Sequence, residues 1–357
     1  MLGKLPCLKG VLTRHEATLT CMLVITSVCA VENTGTKMYP TPQNFLSSDH
    51  SCVKRARVDT TVPLNEKGRW TVAEFDPNPP FQEYAHPERL VSAPWLSARL
   101  GVNGLRVVEV DEDSLLYDIG HIPTAIRINF QTELLDSTTR DLIDEEAFAE
   151  LLRSKGIERD DTVILYGDKS NWWAAFALWV FELYGHPDVR LLDGGRDAWM
   201  SEERDTSFMV PDPTTSSYPE VSRDESARVF VDELRSSTAS LVDTRSPEEF
   251  CGEATRESGN GESPYGTTMT YGHIPSAVNL EWDRAVYPNG CFRTLSELKV
   301  NYGELEPATE TILYSHVGAQ AAHTWFVLKY LLGFNNPRVY DGSWAEWGNM
   351  VRMPVER

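Results

Sequence analysis

The chain has 357 residues, 41% of them hydrophobic, which is enough for about two domains, each with a core of its own. A formal net charge of −20 excludes nucleic acid as the main partner, because docking on phosphate backbones needs a surplus of Lys and Arg. Six cysteines with no CxxC pair and no metal-ligand spacing exclude a zinc site and a disulfide scaffold, and no cofactor is expected.

Residues 1–70 carry nine basic side chains against five acidic ones, the reverse of the chain as a whole. A basic start followed by the apolar run 19–31 imitates a secretory signal, with Ala30 near a cleavage position. Thr20, Thr26 and Ser27 interrupt that run, and it is too short to span a bilayer. Residues 1–75 are therefore expected to be a disordered tail or a stretch read from a misplaced start, with a signal segment as the alternative. The matching compartment is the cytoplasm, with export as the alternative.

Further along, the chain repeats itself. Short apolar runs at 107–110, 163–166 and 189–192 read as buried parallel strands, and 241–243, 312–314 and 338–340 are their counterparts. Between the last two strands of each copy lies an apolar helix, 172–184 and 320–332, followed by Gly185 and Gly333 at the C′ position. Tyr166 and Tyr314, Gly185 and Gly333, Asp193 and Asp341, and Trp199 and Trp347 are all 148 residues apart. Strands alternating with helices predict two tandem α/β domains, each a parallel sheet flanked by helices, over 88–200 and 223–357. The Pro-, Ser- and Thr-rich stretch 201–222 is the expected linker. A polar, glycine-bearing insertion, 253–271, is placed to cover a cleft.

Three motifs recur in order: Asp243 and Arg245 as a DxR after a strand, a GHIPxA at 120–125 and again at 272–277, and a closing YDGSWxEW at 340–347. Together these resemble the rhodanese family, specifically its two-domain thiosulfate sulfurtransferases, over about residues 88 to 357. The resemblance implies a structural first domain and a second domain that presents the reactive loop. It further implies a thiolate, held by backbone N–H groups at a helix N-terminus, that takes sulfur from thiosulfate and passes it as a persulfide to cyanide or a thiol. Where related members read CRIGER, this loop reads Ser315, His316, Val317, Gly318, Ala319 and Gln320.

A serine hydroxyl stays protonated at neutral pH and forms no stable persulfide equivalent, so Ser315 at the nucleophile position predicts little or no transfer activity. His316 and Gln320, standing for two arginines, remove charge from the anion site. Gly318 leaves the turn intact. The first copy has Gly167 at the aligned position. The expected role is therefore anion binding or a regulatory function, with a protein partner unspecified; the alternative is an active transferase using another thiol, with a small sulfur-containing anion or a thiol acceptor as its partner. Cys251 is the candidate, although Glu248, Glu249 and Glu253 oppose thiolate formation there. Asp243 and Arg245 read as a supporting buried ion pair, His121 and His273 as turn residues, and Trp172, Trp173, Trp325, Trp344 and Trp347 as packing residues. His316 as a base for Ser315 is disfavoured, because no acid near it would orient the ring.

Overall fold

The computed structural model describes residues 73–111, 113, 115–212, 214–254 and 268–357. The expectations for residues 1–72, and the middle of the insertion, lie outside the described residues. No helix among the described residues is long and apolar enough to cross a membrane. The described chain is tied down from its first residues. Arg190, its side chain fully buried, donates to the carbonyls of Ala73 and Glu74. The carboxylate of Asp76 takes the N–H and hydroxyl of Ser92.

Each copy builds a five-stranded, all-parallel sheet. The first contains β1 (Leu90–Val91), β2 (Leu105–Glu109), β3 (Ile126–Arg127), β4 (Thr162–Tyr166) and β5 (Val189–Leu192), in the order β1-β5-β4-β2-β3. The second contains β6 (Arg228–Val229), β7 (Ser240–Asp243), β8 (Val278–Asn279), β9 (Thr311–Tyr314) and β10 (Pro337–Tyr340), in the order β6-β10-β9-β7-β8. The two orders are identical. β4 and β9 are buried at every residue, as central parallel strands covered on both faces must be. Pro337 opens β10, where its missing N–H costs no ladder bond. The outer strands β1, β3, β6 and β8 have two residues each, too few for a periodic pattern to reveal.

The helix Trp172–Leu183 runs as its apolar sequence predicts. Its counterpart differs: Ala319–Phe326 is α-helical, and the chain continues as a π-helical turn, Val327–Leu331. Gly185 and Gly333 both take positive φ just after these ends. Each helix is buried nearly all round because its sheet covers one side and the other domain's helix the other. One apolar cluster therefore runs from Val108 and Leu165 through Trp179 to Trp325 and Leu313 without a break between domains.

Polar contacts join the same seam. The Tyr84 hydroxyl donates to the Arg293 carbonyl at 2.7 Å, and Glu182 bridges Arg89 and Lys329 at 2.9 and 3.4 Å. Trp172 meets Trp282 edge-on, with ring centroids 4.8 Å apart. Stretch 201–222 also packs onto the first domain. Ser207 exchanges backbone bonds with His121, and Tyr218 is buried against His186.

A fragment of residues 223–357 should expose the apolar face that the first domain covers, and should aggregate or fail to fold on expression. A soluble fragment with a cooperative melt would count against a shared core.

Candidate active site

The loop at 315–320 lies between the end of β9 and the helix Ala319–Phe326. Gly318 carries the turn at φ 91°, in the left-handed region that favours glycine. Its N–H donates to the Ser315 hydroxyl at 2.9 Å. The loop is fastened from beneath by Ser343, fully buried: the Ser315 N–H donates to its hydroxyl at 3.2 Å, and that hydroxyl donates to the Tyr340 carbonyl at 2.9 Å. Trp344 and Ala345 donate their N–H groups to the carbonyls of Ser315 and His316, both at 2.9 Å. Ser315, His316, Ala319 and Gln320 are buried, and Val317 is the half-buried outer edge.

Beside the loop, at the end of β7, Asp243 and Arg245 form a buried ion pair with Nε–Oδ1 at 3.0 Å and Nη2–Oδ2 at 2.5 Å. Arg245 also donates to the Gly272 carbonyl at 2.8 Å and lies 4.5 Å from the centre of the Trp344 ring. The Tyr314 hydroxyl accepts the Ile274 N–H, and burial with Asp243 alongside pushes its ionisation well above the phenol range.

The first domain has the same arrangement with the arginine moved. Glu109, which holds the place of Asp243 beside the paired tyrosine, is bonded by Tyr166 and by Arg196 at 3.0 Å, and Arg196 caps the Gly120 carbonyl at 2.6 Å. Arg196 comes from the position of Trp344, whereas Asp111 stands where Arg245 does. Burial, with Glu109 adjacent, pushes the Asp111 carboxyl well above the usual carboxylate range. The histidines of the two GHIP turns bond backbone carbonyls. His121 meets those of Tyr117 and Met209, and His273 that of Phe250.

The second-domain loop borders a cavity, through Val317. In the first domain, a Cβ on Gly167 would sit 2.1 Å from the Val110 carbonyl oxygen, so the position aligned with Ser315 takes no side chain. The turn 287–291 of the second domain also lies against that domain's 194–195 corner. Phe292 donates its N–H to Asp193 at 2.9 Å, and a Cβ on Gly290 would be 3.2 Å from the Gly194 carbonyl. Reciprocally, the turn 136–141 of the first domain reaches over the second domain's loop but leaves a cavity of about 330 Å³. Arg140, Phe176, Arg228, Val317, Asp341 and Glu346 are among its walls.

The thiols lie elsewhere. Cys251 caps the short helix Pro247–Phe250, half-buried, next to a glycine packed on the Gly272 turn, and is not among the cavity's lining residues. Cys291 bonds Asp193, and burial with that carboxylate pushes its thiol up to about 12, so it stays protonated at neutral pH.

The helix behind the loop holds His323 fully buried between Trp282 and Phe292, and burial pushes its imidazole down to about 3. Folded, His323 stays neutral where the unfolded chain takes a proton near 6.5. Its contribution to stability is therefore present above that value and lost as pH falls toward 3, at about 1.4 kcal/mol per pH unit. Acids with raised values, Asp193 and Glu281 at about 7, act in the opposite sense, so the test is a difference. The unfolding free energy of His323→Phe minus that of the wild type should rise by about 1.4 kcal/mol per pH unit between pH 6 and 4. A difference independent of pH would show that His323 is protonated in the fold.

Comparison with known proteins bears on both domains. The rhodanese-like domain matches residues 92–202 and again 226–350. The chain belongs to the rhodanese-like family. This rhodanese-like chain is 64% identical over 290 residues to a thiosulfate sulfurtransferase of Corynebacterium glutamicum, covering 80% of the chain and 95% of that protein. It is 51% identical over 283 residues to the putative thiosulfate sulfurtransferase SseA of Mycobacterium tuberculosis, covering 78% and 94%. Among solved structures, YnjE superposes with a TM-score of 0.66 at 26% identity, over 77% of this chain and 70% of that one.

Sequence reasoning singled out the loop and the Asp243–Arg245 pair. It missed Ser343, Arg228 and the turn 136–141. Ser343 lay inside a motif already quoted, YDGSW, and was the recoverable one. Arg228 stands in a two-residue strand, and the turn acts across the domain boundary, so neither left a local signal.

Proposed function

We propose that this rhodanese-family chain binds a small sulfur-containing anion over the second-domain loop and forms little or no persulfide there. The observation that carries this reading is Ser315 itself. The loop folds, with Gly318 turning its N–H onto the residue at the nucleophile position, yet the atom it meets is a hydroxyl oxygen. That oxygen has no accessible anionic form at neutral pH, and its attack on sulfane sulfur yields nothing stable to pass on. The supporting observation is that Cys291, bonded to Asp193, has its thiol held protonated by burial and that carboxylate.

Incubating the full chain with thiosulfate and recording its intact mass tests this: no species heavier by one sulfur, about 32 Da, is expected. A second reading, transfer of sulfur from thiosulfate to cyanide or a thiol through another cysteine such as Cys251, is favoured by the 64% identity to a named thiosulfate sulfurtransferase. A persulfide abolished by Cys251→Ala would establish that reading instead.

A further inference from the structure

We propose that Arg140, carried across from the first domain, is the residue that receives the anionic group of a ligand bound over the second-domain loop. This rests on the anion-binding reading above and names the contact that reading lacks. With His316 and Gln320 in the loop, the anion needs a cation from elsewhere, and the cavity wall offers two. Arg228 is already occupied. It meets Asp341 at 2.6 Å, Asp141 at 2.5 Å and Glu225 at 3.5 Å. Arg140 lines the cavity, is exposed, and makes no side-chain ion pair among the described residues.

The backbone gives an independent argument. Arg140 has φ 62°, in the left-handed region where a non-glycine residue stores strain. Two bonds fix it there: Arg140 donates its N–H to the Asp136 carbonyl at 2.9 Å, and Asp136 closes the turn through its own N–H to the Asp141 carbonyl at 2.7 Å. The equivalent turn of the second domain is one residue shorter and closed by a corresponding pair, Gly290 to Tyr287 at 2.9 Å and Tyr287 to Cys291 at 2.8 Å, and there the left-handed residue is Gly290, φ 81°. The turn that packs against a filled corner has the unstrained residue. The turn that faces a cavity has an arginine there, one of nine non-glycine residues with positive φ among the described residues. The remaining charged wall residue is Glu346, which accepts the Tyr340 hydroxyl at 2.7 Å. The cavity therefore presents one uncommitted cation.

The test is calorimetric titration of inorganic thiosulfate into the full chain and into Arg140→Gly, with thermal melts of both. The Gly variant removes the cation and relieves the strained backbone. Binding should weaken by about tenfold or more, as loss of a charge-assisted hydrogen bond requires, while Tm is unchanged or raised. Arg140→Lys should retain intermediate affinity. Thiosulfate binding by Arg140→Gly within twofold of wild type would overturn the assignment. So would a wild type that shows no saturable binding, or weaker binding accompanied by a lowered Tm, which would make Arg140 architectural. Intact mass on the same samples keeps the two ideas separate: a persulfide on the wild type would sink the inactive-loop reading and leave the Arg140 affinity ratio to be judged by itself.

Discussion

Ser315→Cys should place a thiol where the Gly318 N–H already points and, on the proposed reading, let the loop accept sulfur from thiosulfate slowly. Turnover to thiocyanate should stay low in that single variant, because the loop still lacks fixed charge at His316 and Gln320. Adding His316→Arg and Gln320→Arg should raise kcat/KM by about tenfold or more per charge, if each charge-assisted bond contributes about 1.5–3 kcal/mol in the transition state. Both positions are buried, at 3% and 7% exposure, so two unpaired guanidinium groups there will be costly without an anion. The triple variant should therefore melt below the single one and recover on adding thiosulfate, by mass action on the folded state. The measurement is cyanide-dependent thiocyanate formation by the wild type and both variants. Wild-type activity that survives Cys251→Ala and Cys291→Ala together would sink the proposal, and a fully active single variant would show that the two charges do not matter.

Breaking the buried pair at the end of β7 is the second large effect. Arg245→Met leaves the carboxylate of Asp243, at 0% exposure, without its partner and uncaps the Gly272 carbonyl, a loss of about 3–5 kcal/mol in unfolding free energy. The double variant Asp243→Leu with Arg245→Met removes both charges and should recover most of it, since well-packed apolar replacements of a buried pair are often neutral. Urea titration of wild type, single and double variants reads this directly. A single variant that loses less than about 1 kcal/mol would mean that the pair is not what holds this strand end.

The central strands were legible because burial on both faces forces continuous apolar runs, as in 163–166 and 312–314. The two long helices were legible because their apolar residues exceed what one face needs. The edge strands were not, since two residues such as Leu90 and Val91 carry no period. The π-helical turn Val327–Leu331 was not either, because α and π hydrogen bonding place similar demands on an apolar segment. In the candidate site, residues that act through their own chain neighbours could be read, Gly318 as a turn and Asp243 with Arg245 two residues on. Residues that act through the partner domain could not: nothing near Asp136 or Arg140 in sequence says that this turn stands over a loop about 180 residues away.

The relocated arginine has a consequence for how such a duplicated chain can change. Each half keeps one cation for its strand-end carboxylate, but one stores it early, as Arg245, and the other late, as Arg196. A crossover between the halves would break both accounts at once. A hybrid that begins like the first copy and ends like the second would hold Glu109 and Asp111 beside a tryptophan with no arginine. The reciprocal hybrid would crowd two guanidinium groups onto Asp243 alone. The halves share a fold and a strand order, yet they are no longer spare parts for one another, and sequence exchange that would homogenise them is opposed by the folding of its own products.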